Sequence, residues 1–268
     1  MNEGLYIAAS GGAKQMHKLD TISSNVSNAA TQGFKRDLLL FNEIRAPYHT
    51  SPTDSLFPLD GMDDSLTPVS YVNIARSYTD FSQGSLINTG NPFDLALEGE
   101  GFFVLNTPQG ERYTRNGSFQ INPEGELVDS QGNPVVNWTD TKRRKESETI
   151  FIPPETKEIT VDQEGLVYGE IDRELIIFGQ IKIVTFQNNE HLKKEGNGLM
   201  RNTLDSNRTR PAEEVKVLQG YKETSNVNAI EEMTRMIETV RTLEAYQKVI
   251  QSFDEADEQS VNNLARVA

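Results

Sequence analysis

The two ends of the chain carry apolar positions at helical spacing, while the middle alternates short β-prone runs with turn residues. Between Leu5 and Ala30, apolar or small residues recur at Leu5, Ala8, Gly12, Leu19, Ile22 and Val26, largely in steps of three and four, the stripe of an amphipathic helix. The pattern lapses at Gln15, and Gly11 and Gly12 each lower helix propensity by roughly 1 kcal/mol relative to Ala. This helix is expected to be weak until a partner covers its stripe.

At the other end, residues 226–265 contain neither Gly nor Pro, and Ile230, Met233, Ile237, Val240, Leu243, Ile250, Phe253 and Leu264 follow near-heptad spacing. Ser225 or Asn226 stands where a short side-chain oxygen would cap the start, and Glu231 and Glu232 suit the positive end of the helix dipole. About 40 residues at about 1.5 Å each predict a helix of about 60 Å. That is too long for a small adjoining domain, so the helix needs partners beyond it.

Between these ends, 46–68 is rich in Pro, Ser, Thr and Asp, with Pro47, Pro52, Pro58 and Pro68, and reads as an irregular connection. From Tyr71 onward strand and turn signals alternate. Phe102 to Leu105 precedes a turn at Asn106 to Gly110, and Ser118 to Ile121 precedes Asn122-Pro123-Glu124-Gly125 and a further run from Glu126 to Val128. An internal echo joins 119–129 to 159–169, because Glu124-Gly125 and Glu164-Gly165 each separate two β-prone runs. Ile176 to Phe186 is the last strand-like stretch, and Asn188 to Arg210, with Gly196 and Gly198, reads as a loop returning to the terminal helix.

The expected fold class is therefore α+β: terminal helices that pair as a coiled coil around a mainly-β, hairpin-rich centre. The boundaries read as an N-terminal helix over 1–35, an extended or irregular connection over 36–70, a β-rich domain over 71–210, and a return segment with the C-terminal helix over 211–268.

Composition narrows the function. At 268 residues, with 36% hydrophobic and 25% charged positions, the chain can bury a core. No apolar run approaches the roughly 18 residues of a membrane span. A formal net charge of −14 argues against nucleic acid as a partner, since duplex binding needs Lys and Arg against phosphates. Without cysteine there is no disulfide frame, thiolate metal site or thiol nucleophile. The start, Met1-Asn2-Glu3-Gly4, lacks a basic region and its apolar run stops at Ala9, so no cleavable secretory signal is expected.

Candidate chemistry is sparse. His17, His49 and His191 lie far apart without metal-ligand spacing and read as surface residues. Gly99-Glu100-Gly101 is not a complete nucleotide-binding glycine motif. Glu98 and Glu100 would share a strand face and could be nominated as a glycosidase pair, but such a face is usually solvated. The run Lys142-Arg143-Arg144-Lys145, beside Glu146 and Glu148, reads as a solvated loop. No cofactor, no metal and no enzymatic activity are expected.

Identity is carried by the tract after the first stripe, Ser24-Asn25-Val26-Ser27-Asn28-Ala29-Ala30-Thr31-Gln32-Gly33-Phe34-Lys35-Arg36. Gly33 could form a left-handed cap, Phe34 could pack back on the last turn, and Lys35 and Arg36 could answer the exposed carbonyls. The tract resembles the Asn-x-x-Asn-x-x-Thr-x-Gly-Phe-Lys signature of the flagellar rod and hook protein family. Ser225-Asn226-Val227-Asn228, followed by Glu231-Glu232-Met233, Met236-Ile237, Arg241, Tyr246 and Lys248-Val249-Ile250, is similar to that family's C-terminal motif. Thr89 to Phe103 and Tyr113 to Phe119 resemble the hairpin region of its rod-forming members. The length and the stretch Thr79 to Gly84 look more like the proximal-rod than the distal-rod subunit. Ala30 and Gln32 depart from the family's usual Asn and Pro, and Tyr48 to Pro68 looks like an inserted contact loop.

The resemblance implies an axial protein exported unprocessed through the flagellar type III apparatus into the periplasm-spanning rod. Its partners would be copies of itself, other rod proteins and the surrounding ring proteins, without membrane insertion. The expected subunit interface comprises a buried stripe of Leu5, Leu19, Ile22, Val26, Ile230, Met233, Ile237, Val240, Ile250 and Phe253, with Asn25, Asn28, Gly33, Phe34, Asn226 and Asn228 at the junction. An ordinary intramolecular core is the alternative for each stripe residue. Two other function classes are a peptidoglycan-cutting enzyme using Glu98 and Glu100, and a surface-binding module confined to the β-rich centre.

Overall fold

The computed structural model describes residues 3–45, 70–138, 149–204, 206–212 and 214–267. The connection read as irregular over 46–68, the basic run at 142–145 and His49 lie outside the described residues. The chain divides into two units. One comprises Met1–Val26, Asp37–Tyr78 and Asn228–Ala268, and the other comprises Ser27–Arg36 and Thr79–Val227.

The first unit holds the two long helices. Helix α1 spans Glu3–Ser27 and runs through Gly11 and Gly12 without a break. It ends three residues before the expected Ala30, where Thr31 N donates to Asn28 O at 3.1 Å. Helix α2 spans Ala229–Val267. Its cap is Asn228, not Ser225 or Asn226 as the sequence suggested: Asn228 Oδ1 accepts from Ile230 N at 3.1 Å and Glu231 N at 3.4 Å. Both upstream candidates are engaged elsewhere. Ser225 Oγ accepts from Val227 N, and Asn226 bridges two other segments, as described below. Strand β1 (Asp37–Arg45) pairs with β2 (Ser70–Thr79), so the start of the expected connection is a strand.

The second unit is built of β-strands: β3 (Leu86–Asn88), β4 (Leu95–Glu98), β5 (Phe102–Thr107), β6 (Gly110–Thr114), β7 (Gln120–Ile121), β8 (Leu127–Val128), β9 (Ile159–Val161), β10 (Leu166–Ile171), β11 (Glu174–Gln180), β12 (Ile183–Phe186), β13 (Leu192–Gly196), β14 (Leu199–Asn202), β15 (Thr209–Pro211), β16 (Lys216–Gln219) and β17 (Tyr221–Glu223). A six-stranded sheet has the order β13-β14-β6-β5-β12-β15, and a three-stranded sheet the order β11-β10-β9. The two-stranded pairs β16-β4, β17-β3 and β7-β8 complete it among the described residues. Through β16 and β17, the return segment pairs with strands from early in the unit.

Strand β5 explains why the centre folds. Successive side chains of a strand point to opposite faces, and Phe102 to Leu105 are buried on both. Phe103 and Leu105 enter a core with Leu95, Leu97, Phe119, Ile150 and Ile181, while Phe102 and Val104 enter a second core with Tyr113, Val184 and Phe186. Edge-to-face ring pairs brace each core: Phe103 with Phe119 at 5.2 Å, and Tyr113 with Phe186 at 4.7 Å.

The echoed turns share one hydrogen-bond scheme. In each, a first-position Asn or Asp donates N–H to the carbonyl four residues on, and its Oδ1 accepts the N–H of that same residue, joining Asn122 with Glu126 and Asp162 with Leu166. A third copy, unnoticed in the sequence, joins Asp129 with Asn133. The expected loop from Asn188 to Arg210 instead contains strands, with β13 and β14 forming a hairpin. Its turn is Asn197-Gly198, with φ of 52° and 76°, the two-residue conformation that Asn-Gly favours between strands. The single strand expected over 176–186 is two, β11 and β12, separated at Ile181 and Lys182.

Candidate functional site

The first unit presents a helix seam. Asn25 Nδ2 donates to Glu232 Oε2 at 3.5 Å. A Cβ added at Gly11 would lie 2.5 Å from the Tyr246 ring, and one at Gly4 would lie 2.7 Å from the Phe253 ring. Positions 4, 11 and 25 of α1 thus meet 253, 246 and 232 of α2, running in opposite directions and separated on both helices by whole heptads. The missing step of the series on α2, Thr239, is 1% exposed. Gly11, one of the two glycines expected to weaken α1 as an isolated helix, therefore admits one aromatic ring and Gly4 admits the other, while a Cβ at Gly12 would meet nothing nearer than 3.9 Å. Asn25 also clamps β1, donating from Nδ2 to Asp37 O at 2.9 Å and accepting from Asp37 N at 3.0 Å.

The seam uses only part of the expected stripe. Ile22 is buried, Leu5, Leu19, Val26, Val240, Ile250 and Phe253 are half-buried, and Ile230, Met233 and Ile237 are 78%, 51% and 56% exposed. These last three rise on a separate face of α2 at heptad spacing. Tyr6, Ile7, Met16 and Val249 are also exposed apolar residues on the two helices. Glu232 and Tyr246, marked in the sequence within the C-terminal motif, and Thr239 were not assigned to the seam, because two are polar or charged and the third is an aromatic off the aliphatic stripe.

The second unit holds a buried junction of charges. Glu223, on β17, places Oε1 2.6 Å from Lys35 Nζ and Oε2 3.3 Å from Arg115 Nη1. All three side chains are buried. Lys35 Nζ also donates to Ser82 O at 2.7 Å, Arg115 Nη2 donates to Gly99 O at 2.6 Å, and Gly84 N donates to Glu223 Oε1 at 2.9 Å. Burial pushes the Lys35 ammonium down and the neighbouring Glu223 carboxylate draws it partly back up. Arg115 is lowered by burial in the same way. Closed to water and paired at both carboxylate oxygens, although Arg115 Nε is buried without a hydrogen-bond partner, the cluster binds segments together.

These segments are the three marked in the sequence. Gly33, buried at φ +66°, donates its N–H to Glu223 O at 2.9 Å, and an added Cβ would meet the Arg115 carbonyl carbon at 2.6 Å. Asn226 Oδ1 accepts from Arg36 N at 2.7 Å, while its Nδ2 donates to Asp80 O and Ser82 O at 2.9 and 3.1 Å. Burial pushes the Asp80 carboxyl up, but hydrogen bonds from Ser82 together with the Arg36 guanidinium outweigh it and hold the group below its ordinary range. Lys35 and Arg36 therefore do not answer helix carbonyls as expected, because each has a carboxylate partner in the same unit. Phe34 lies under Lys194, whose ammonium is 4.0 Å from the ring centroid. Gln32, at a place where the resemblance led one to expect Pro, accepts from Ser118 Oγ at 2.8 Å. Asn28 accepts from Thr31 Oγ1 at 3.2 Å.

Glu98 ends β4 and Glu100 lies past Gly99, so strand alternation does not set both on one face; both are exposed. Among the described residues no group of three or more His, Asp or Glu is arranged to hold a metal ion, and no helix is long and apolar enough to cross a membrane.

Three family models match this architecture in segments. Residues 5–35 match the flagella basal body rod protein model, 96–169 the flagellar hook protein FlgE/F/G D1 domain, and 218–264 the flagellar basal body rod FlgEFG protein C-terminal model. The chain is 32% identical over 268 residues to the flagellar basal-body rod protein FlgF of Caulobacter vibrioides, covering 100% of both. It is 35% identical over 269 residues to FlgG of Borreliella burgdorferi, covering 95% of this chain and 96% of the relative. It is 30% identical over 273 residues to FlgG of Bacillus subtilis, covering 98% and 99%.

Proposed function

The chain belongs to the flagellar basal-body rod protein family, and on that premise we propose that it is an axial subunit that assembles with copies of itself and with other rod proteins to carry torque from motor to hook. Its relatives are structural rod proteins, not enzymes, which sets aside the hydrolase reading of Glu98 and Glu100. The observation that carries the assembly reading is the α2 face of Ile230, Met233 and Ile237, which stands more than half exposed at heptad spacing. Covering such side chains gains about 1.5–3 kcal/mol each, and a neighbouring subunit repeats the same gain along the whole rod.

The heptad steps of the α1–α2 seam support a coiled coil within each subunit, with the uncovered stripe of α2 and the apolar residues of α1 left for neighbours. The periplasmic ring proteins and the type III export apparatus complete the proposed partners. A proximal position in the rod is supported by the stretch Thr79 to Gly84, which looks more like the proximal-rod subunit. Deleting Met1 to Thr31, or Asn226 to Ala268, in cells lacking the native protein tests the reading. Unfinished rods and lost swimming are expected from each truncation, and completed rods would move the function to the β-rich unit.

A further inference from the structure

In the β-rich unit a cleft of about 380 Å³ opens beside Trp138, within the range of about 300–1,000 Å³ that small-ligand sites occupy. Ile183, Ala212 and Val215 give it aliphatic surface. Its polar groups are Trp138 itself, Glu164 on the turn between β9 and β10, and Gln180 at the end of β11. Trp138 is 36% exposed, although it is the largest apolar side chain of the unit.

Backbone pairing holds these groups in place. Trp138 N donates to Gln180 O at 2.6 Å, Gln180 N donates to Asn137 Oδ1 at 3.0 Å, and Ile181 N donates to Gly165 O at 2.8 Å. Gly179 leaves the room that Asn137 needs, since an added Cβ would lie 2.8 Å from its Oδ1. Gln180 Nε2 is spent on Glu164 O at 3.0 Å. Three groups stay unspent: the Trp138 indole N–H, the Glu164 carboxylate and Gln180 Oε1 have no hydrogen-bond partner among the described residues. The cleft therefore offers one donor and two acceptors beside an aromatic ring.

That set discriminates between ligand chemistries. An ammonium or guanidinium only donates and would leave the indole N–H unanswered, while a phosphate or ionised carboxylate only accepts and would also be repelled by Glu164. A hydroxyl does both. The face of an aromatic ring carries negative charge density, so it attracts a flat array of weakly positive C–H groups, and the aliphatic surface suits the same array. Hydroxyls around an edge and C–H groups on a face describe a pyranose ring.

We propose that the Trp138 cleft binds a neutral saccharide, with the indole ring against a sugar face and Glu164 and Gln180 accepting from its hydroxyls. The site does not depend on the rod-subunit reading, and either can fail without the other. Trp138 is the only tryptophan in the chain, so its emission reports on this cleft alone. The purified full chain is titrated with two probes, the trimer of N-acetylglucosamine and maltotriose, while tryptophan emission and heat of binding are followed. A saturable change with at least one of them is expected, half complete at about 1 mM. Glu164→Ala removes an exposed carboxylate, leaves the fold unchanged in thermal unfolding, and weakens binding at least about tenfold, the loss of one hydrogen bond to a charged group.

No emission change and no heat from either saccharide, well above that concentration, overturns the site. Binding by calorimetry that survives both Glu164→Ala and Trp138→Ala also overturns it, because the sugar then sits elsewhere. Spermidine is the cationic competitor: saturation by spermidine in place of the saccharides makes this a cation site and contradicts the proposal, whereas saccharide binding that spermidine leaves undisturbed supports it.

Discussion

The ammonium of Lys35 and the carboxylate of Glu223 lie 2.6 Å apart, both shut away from water, although 188 residues separate them in the chain. Arg115 shares the same carboxylate. Leaving a buried charge without its partner costs about 3–5 kcal/mol, far more than the net worth of an intact pair. Glu223→Gln strands two cations and is expected to cost about that much. Lys35→Met should cost less, because Arg115 still faces the carboxylate. Urea unfolding of the purified chain gives the order, and equal stability of Glu223→Gln and wild type would show that the cluster does not hold its three segments.

Gly33 is the second lock of the junction. Its φ of +66° suits glycine, and the backbone of Arg115 and Asn116 occupies the place where a Cβ would go, at 2.6 Å. Backbone cannot swing aside as a side-chain tip can. Gly33→Ala therefore combines conformational strain with a clash, for about 1–3 kcal/mol. Gly90, also at positive φ but with nothing within 4 Å of the added Cβ, is the control: Gly90→Ala should lose only the conformational part, about 1 kcal/mol. Thermal unfolding of the two variants side by side separates the contributions.

Tyr113 provides an optical reporter of the second core. Burial pushes its phenol up, with the nearby Glu111 carboxylate adding to the effect, to about 12. In the unfolded chain the phenol loses its proton near pH 10. Between these values the unfolded state binds fewer protons than the folded one, so this group's contribution to stability is intact below about pH 10 and declines as pH rises toward 12. Phenolate absorbance of wild type minus Tyr113→Phe is expected to rise with a midpoint near 12. A midpoint near 10 in the folded protein would place Tyr113 in water.

Much of the fold was legible because its signals are local. Heptad spacing in α2, the β-prone run at Phe102 to Leu105, and the Glu-Gly turns each depend on neighbours a few residues away. The left-handed φ of Gly33 was legible for the same reason, but not its role: α1 ends at Ser27, and the Gly33 N–H donates to Glu223 O, so it does not cap the helix. What escaped depends on distant partners. Nothing near Glu223 in sequence says that Lys35 and Arg115 will meet it, so Lys35 was assigned to helix carbonyls within its own reach. Glu232 and Thr239 do not advertise a seam, since the apolar residues beside them mark a different face of the same helix. The Asn197-Gly198 hairpin was the avoidable miss: its turn signal is local, but the polar residues around it read as loop.

The central claim is that the exposed stripe of α2 joins one subunit to the next. Met233→Glu with Ile237→Glu tests it most directly, because both positions lie more than half exposed in the single chain and their change leaves the seam through Glu232, Thr239 and Tyr246 untouched. The measurement is rod completion in basal bodies from cells carrying only the double variant, alongside helicity and thermal unfolding of the purified chain. Unchanged helicity and unfolding with rods absent or truncated is the predicted result; completed rods and normal swimming would contradict it.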